Sequence, residues 1–518
     1  MRSSVLVLVV AALVVPSSFA RAADQTHMFL HNDYSKTHCW GTAGAYYTAP
    51  QMAPKTPGPT GAGKSPGLSL LGEGISPANQ DPQLAVSPHY VLVLSTGAYV
   101  FYDRATNKAL AGNGCVPVNA LFTNLFAPLM LQKDPATNAT NPAYINDHLE
   151  LGGAAHFKCN ASDTSGCVNE VYDARAYYDY DTNRFWIVAA ARNQIWTPCD
   201  NKGTCPSGCG PNQLCGSSNT CSNCGDEARR YLFVAVSKTE DPRQGFWQYA
   251  LVRDYADWPL FSVRNDRLIL SHKAGKRLYV FDSKKLIAGT TTDAFLGQYK
   301  DDSFPESWEI STVTQYSDAD GLSLILGKTD SSVTVYAFKD PTKPLVKNSL
   351  HLASEPYWRM QPVYRFTKFY FTDDPSDGAT GRMKIETHRL TANLNGSPVQ
   401  VGTLTDDVFT FKKSDASLRM SGVLIEESGA AIVWYAEFPT SGAAPEARYR
   451  VLYGNESSFR DSALLRKSEK AITQSSYVGD KQVGGACEPG KLGFWIIHHY
   501  TNAAGAKLEA VGKVEPGS

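Results

Sequence analysis

From Leu84 onward the chain repeats one pattern: a short apolar run, a polar turn, and a second apolar run. Val91–Leu94 is answered by Tyr99–Tyr102 across Ser95-Thr96-Gly97. Phe185–Ala189 is answered, after a long interruption, by Tyr231–Val236. Leu268–Leu270 precedes Leu278–Phe281, and Leu322–Leu326 precedes Val333–Tyr336. Lys368–Phe371 and Lys384–Thr387 flank an Asp/Gly loop, and Ala431–Tyr435 and Tyr449–Leu452 flank Gly442 to Glu446. The last pair is Phe494–Ile497 with Lys507–Val511. The runs are rich in β-branched and aromatic residues and the turns in Gly, Asp, Ser and Asn, which predicts β-hairpins. The seven pairs recur at roughly 40 to 70 residues, a spacing of repeated β-units.

These units predict an all-β chain and, within that class, a β-propeller. A four-stranded sheet has two apolar faces, and packing sheets radially covers both. Seven blades are favoured, with six or eight open because end strands are hard to read. A β-sandwich or two separate β-domains is the competing architecture. Helical periodicity is sustained nowhere for long, and Ser458 to Lys470 is the best candidate for a short surface helix.

The N-terminus bears on location. Met1-Arg2 is followed by an unbroken apolar run, Val5 to Val15, then Pro16 and the small-residue pattern Ala20-Arg21-Ala22. This is the layout of a cleaved signal peptide over 1–22, so the mature chain is expected to be secreted. No other apolar stretch reaches the length of a membrane span. Residues 23–80 read as an N-terminal extension containing a Pro/Gly-rich linker at 50–67, and 81–518 as the propeller. Lys and Arg number 49 against 50 Asp and Glu, a net charge of −1. That balance lacks the basic excess of a nucleic-acid binder. A monomer with no nucleic-acid partner and no membrane span is expected.

One stretch carries a resemblance. Asp81-Pro82-Gln83-Leu84-Ala85-Val86-Ser87-Pro88-His89-Tyr90-Val91, followed by Tyr99-Val100-Phe101-Tyr102-Asp103, resembles the opening blade of large secreted bacterial β-propeller proteins. Tyr178 to Trp186, Val236 to Pro242 with Trp247 and Tyr249, and Gly479 to Cys487 with Phe494-Trp495 are similar to later blades of that family. The resemblance implies architecture and export, not a reaction. The Pro-rich lead and the cysteine-dense insert depart from it.

Eleven cysteines in an exported chain read as disulfides. Six crowd one insert at 199–224: Cys199, Cys205, Cys209, Cys215, Cys221 and Cys224. A Gly/Ser/Asn-rich loop of this kind has no apolar core of its own, so cross-links must hold it. Three bridges allow fifteen pairings. Cys159 and Cys167 suit a local loop, and Cys39, Cys115 and Cys487 are left over, so at least one cysteine is free or pairs between chains. Zinc at Cys221-Ser222-Asn223-Cys224 is the rival reading, but no second such pair accompanies it. Sequons stand at Asn138, Asn160, Asn395 and Asn455.

Candidate chemistry is sparse. His272, His498, His499 and Tyr500 end apolar strands, where propeller loops line a central face, and are the candidate catalytic residues. A His/Tyr/Arg set there would suit a polysaccharide lyase, and a carboxylate pair a glycosidase. His388 and the N-terminal His27, His31 and His38 are further histidines of interest. Trp308, Trp358 and Arg359 are the candidate ligand-binding residues, with Trp434 a further ring that could stack on a sugar. No cofactor is implied; calcium at Asp179, Asp181 and Asn183 is the alternative, although the loop lacks the Gly and Glu of a calcium hand. Gly58 to Ser65 matches a phosphate-loop expression, but its flanking prolines deny it the required strand and helix. The expected role is recognition of an extracellular glycan or protein ligand, with the lyase or glycosidase as alternative. A third reading makes the cysteine insert an adhesion knob.

Overall fold

The computed structural model describes the strands at 28–32 and 67–75, and residues 82–122, 169–193, 213–215, 221–223 and 230–515 apart from short loops within these spans. The described residues form seven blades of antiparallel strands arranged as a closed ring, a seven-bladed β-propeller. Each hairpin foreseen in the sequence forms the second and third strands of one blade. Tyr90–Leu94 with Ala98–Asp103 serves blade 1, and Phe494–Thr501 with Lys507–Glu515 serves blade 7. These central strands have neighbours on both sides and sheets packed on both faces, which is why they read as continuous apolar runs.

The first strand of each blade stands nearest the axis. Gln83–Val86 of blade 1 packs against Asn169–Asp179 of blade 2 on one side and Gly485–Cys487 of blade 7 on the other. Pro259–Arg264, Glu309–Thr312, Val363–Arg365 and Ala416–Ile425 complete the inner ring. A short extra strand, Thr314–Gln315, pairs parallel with Val363–Tyr364 on the axial side of blade 5.

Closure is made by a strand from the beginning of the chain. Gly67–Ile75 pairs antiparallel with Lys507–Glu515 and becomes the outer strand of blade 7. It lies in the stretch that the sequence assigned to the extension, so the ring begins before residue 81. Met28–Asn32 similarly extends blade 2 beyond Phe246–Arg253. Pairing the two ends of the chain in one sheet makes opening the ring cost a whole strand ladder.

Apolar side chains fill every seam. Val91, Val93 and Tyr102 of blade 1 meet Trp495 and Ile497 of blade 7. Phe101 and Phe185 join blades 1 and 2, with ring centroids 5.0 Å apart. Around blade 6 one continuous cluster joins blades 5, 6 and 7 and contains the fully buried Trp434. Trp434 therefore has no face to offer a sugar, and that part of the sequence reading is corrected. The helix expected at 458–470 is also replaced: Ala463–Lys467 is the outer strand of blade 6, and its alternating burial has the period of a strand.

Two glycines mark where blade 7 meets its neighbours. A Cβ at Gly484 would stand 2.6 Å from the Gln83 Cα of blade 1. One at Gly485 would stand 2.7 Å from Leu424 and 2.8 Å from Trp434 of blade 6. The last inner strand fits between its neighbours only because these positions carry no side chain.

Candidate functional site

The inner strands line a small, partly open cavity at the hub. It is lined from blades 1, 2, 3 and 7 and from Thr314, Tyr316, Met360 and Gln361, which precede the inner strand of blade 5. Tyr177, Tyr178, Tyr180, Tyr316 and Phe261 supply aromatic surface, Gln83, Gln361 and Thr314 supply amide and hydroxyl groups, and Arg175 supplies a guanidinium. Of the described lining residues, Arg175 alone is charged.

Local structure explains why these side chains reach the hub. The register of the blade 2 inner strand shifts between Tyr172 and Arg175, and Asp173 adopts a positive φ of 51° there. Such a bulge re-aims the side chains that follow it. Arg175 is 4% exposed, its Nε donates to the Pro259 carbonyl at 3.4 Å, and its Cζ lies 5.9 Å from the Trp258 ring centroid. Tyr316 follows the extra axial strand, which carries its ring to within 6.5 Å of the Tyr177 ring. Arg365 stands 5.8 Å from the Tyr316 ring centroid, donates to the Ile425 carbonyl at 2.9 Å and pairs with Glu427. Tyr316 is thereby braced by blade 6 as well as its own blade.

The wall is chemically quiet. Burial pushes the Tyr177 and Tyr316 phenols above their ordinary range, and burial first, with Glu240 second, does the same for Tyr178. Cys487 is a buried free thiol whose Sγ donates to the Ile425 carbonyl at 3.2 Å, and burial pushes it up as well. At neutral pH these groups are neutral hydrogen-bonding groups, not nucleophiles. The lining as a whole offers stacking surfaces, neutral polar groups and one cation.

A second set of buried polar groups lies in blade 5. His388 Nδ1 bonds Asp406 at 2.7 Å, and its ring stacks on Phe371 with centroids 4.6 Å apart. Two residues further along the same strand, Asp373 is 2% exposed and faces the same side. Its Oδ1 accepts the Asp374 N–H at 2.7 Å, and its Oδ2 has no hydrogen-bond partner among the described residues. Burial first, then the neighbouring Asp374, pushes its carboxyl up to about 7. Phe371 packs with Leu324 and Leu326, so this array belongs to the seam between blades 4 and 5 and not to the hub.

The candidate catalytic residues do not converge. His272 ends the second strand of blade 3, and His498 and Tyr500 lie near the end of the second strand of blade 7. Alternation places His272 on the side of Leu268 and Leu270, toward blade 2. His498 and Tyr500 share the side of Phe494 and Ile496, toward blade 6, and Arg466 of that blade stands 4.6 Å from the Tyr500 ring centroid. All three are buried, and none lines the hub cavity. The side chain of His499 lies outside the described residues, as do Trp308, Trp358 and Arg359.

At the calcium candidates, protein groups already use the oxygens. Asp179 accepts the Asp181 N–H at 3.1 Å and the Thr182 hydroxyl at 2.5 Å, while Asp181 pairs with Arg264 at 2.7 Å. Asn183 accepts from the Tyr178 hydroxyl at 3.2 Å. Among the described residues no group of three or more His, Cys, Asp or Glu is placed to hold a metal ion. The Gly58–Ser65 segment, Cys159, Cys167, Cys199, Cys205, Cys209 and Cys224 lie outside the described residues. Cys215 and Cys221 are described as backbone only, on a small hairpin of their own.

The sequence reading missed Arg175, Tyr177 and Tyr316. Tyr177 adjoins a stretch that carried the family resemblance, but nothing in its local pattern says that it faces an axis. Tyr316 sits outside any apolar run.

The fold places the chain in the class of seven-bladed β-propellers. No family model and no curated protein matches it. Among solved structures it is similar to an endo-arabinase from Bacteroides thetaiotaomicron, at 10% identity over 51% of this chain and 94% of that one, with a TM-score of 0.23. A NanB sialidase from Streptococcus pneumoniae shows 9% identity over 79% and 67% of the two chains, with a TM-score of 0.32. A Dos1 propeller shows 10% identity over 66% and 90%, with a TM-score of 0.30. Likenesses of this strength assign no activity to the chain. Among the described residues no helix is long and apolar enough to cross a membrane.

Proposed function

We propose that this chain is an exported propeller that recognises a glycan in its hub cavity. The observation that carries the reading is the lining itself: four tyrosines and a phenylalanine, amide and hydroxyl groups, and a single buried guanidinium around one cavity. Sugar rings present apolar C–H faces that stack on aromatic rings and hydroxyls that bond amides and phenols. The guanidinium favours a ligand bearing a carboxylate or another acidic substituent. A protein ligand fits less well, because the recognition chemistry is drawn into the hub instead of spread over an outer face. Export is supported by the apolar run and small-residue pattern at 1–22.

Binding without turnover is the form of the reading favoured here, since among the described lining residues there is no histidine or carboxylate to act as a general base. The mature protein should give a calorimetric binding signal with at least one member of a panel of neutral and uronate oligosaccharides. Tyr316→Ala should weaken that binding at least about tenfold, the loss expected for one stacked ring and its hydrogen bond. Neither new unsaturated ends by absorbance nor new reducing ends should form. No binding to any panel member, or affinity untouched by Tyr316→Ala, would overturn the hub assignment. Turnover would replace recognition with the lyase or glycosidase alternative.

A further inference from the structure

We infer that Cys215 and Cys221 are joined to each other by a disulfide. The cysteine-rich insert lies between Arg184–Asn193 and Arg230–Ser237, the second and third strands of blade 2. Within it, Gln213–Cys215 and Cys221–Asn223 pair antiparallel as a sheet separate from every blade. The register sets Gln213 against Asn223, Leu214 against Ser222 and Cys215 against Cys221. Directly opposed residues on antiparallel strands have Cα atoms roughly 4.5 to 5.5 Å apart. A disulfide needs Cα atoms about 4.4 to 6.8 Å apart. Of the fifteen pairings open to the six cysteines, this placement selects those that contain 215–221 and leaves Cys199, Cys205, Cys209 and Cys224 for the rest of the insert.

A two-stranded hairpin of three residues a side is not stable by itself in water. A covalent tie at the cross-strand pair Cys215–Cys221 supplies what packing does not. The same register weakens the zinc alternative at Cys221 and Cys224, because it engages Cys221 with Cys215 instead. In forming the bond, two thiols lose two protons and two electrons, and the S–S bond replaces two S–H bonds. A disulfide oxidant of the compartment, such as oxidised glutathione, takes up both and leaves as two thiols.

The test counts thiols on the full mature chain, denatured in guanidinium without reductant. Cys215→Ser and Cys221→Ser should each add one free thiol to the wild-type count, the orphaned partner; a loss of one in either single variant would show that cysteine to be free and would overturn the assignment. The double variant Cys215→Ser/Cys221→Ser should return the count to the wild-type value. An increase of two in the double variant would show that each is bridged elsewhere and would overturn the assignment. A decrease of two would show that both are free, and would overturn it too. The readout needs neither a ligand nor a native fold, so it stands or falls separately from the glycan reading.

Discussion

At the scale of the residue, the buried carboxyl of Asp373 has the clearest measurable consequence. Its folded pKa of about 7 lies above the ordinary 3.8, with burial the main cause and Asp374 the second. A group raised on folding contributes stability that is complete below its unfolded pKa and is lost as pH rises through its folded one. The window is therefore from about pH 4 to about pH 7, and the full difference is on the order of 4 kcal/mol. Asp373→Asn removes the titration. Urea midpoints at pH 5 and pH 8 should show the wild type losing more stability than the variant, which becomes the more stable of the two at pH 8. Parallel losses in both proteins would mean that Asp373 is ionised in the fold. The sequence places this residue in an Asp/Gly loop between two strands, whereas it ends the strand Lys368–Asp373. What changed its chemistry is burial in a seam, and burial is a property of neighbours far away in the chain.

At the scale of the element, the turn joining the first two strands of blade 5 is strained. Phe366 and Thr367 have φ of 51° and 65°, the left-handed pair of a two-residue hairpin turn. A β-branched residue and an aromatic one are poorly suited to it, whereas Asn-Gly is suited. Blade 3 makes its corresponding turn with Asn265 and Asp266, at 53° and 59°. Phe366→Asn/Thr367→Gly should stabilise the protein by about 1 kcal/mol or more, read as a higher urea midpoint at unchanged slope. A lower midpoint would show that the contact between Arg365 and the Phe366 ring, 5.1 Å from Cζ to centroid, outweighs the strain.

The legibility of elements follows the same logic of neighbours. The second and third strands of each blade are flanked on both sides and covered on both faces, so their apolar runs stand out. The inner strands do not: Glu309–Thr312 reads Glu-Ile-Ser-Thr and Gly485–Cys487 reads Gly-Ala-Cys. Outer strands such as Val346–His351 alternate between half-buried and exposed positions and carry polar sequence. Ala463–Lys467 was mistaken for part of a helix because adjacent Leu464 and Leu465, set among charges, fit either period over so short a span.

At the scale of the whole molecule, the ring is held shut by a non-local pairing. Chains beginning at residue 60 and at residue 76 differ in whether they retain Gly67–Ile75, the outer strand of blade 7. The shorter chain should melt at least about 5 °C lower by calorimetry, because Lys507–Glu515 loses its partner ladder and part of the last seam opens. Equal melting temperatures would mean that the apolar seam between blades 1 and 7 closes the ring unaided. The glycine pair at 484–485 belongs to this scale as well, since its missing side chains are what allow the last inner strand to fit.

The sequence by itself, through its apolar runs, turn residues and unit spacing, determined that the protein is all-β and that its units repeat, and it favoured a propeller over a sandwich. Those properties depend on residues close together in the chain, and each hairpin announces itself. Tertiary structure alone decided which strand completes the last blade, which polar side chains share the hub, and which histidines are enclosed in seams. Arg175 and Tyr177 share the inner strand of blade 2, and Tyr316 reaches them from blade 5 only once the ring exists, so no local pattern could have brought the three together.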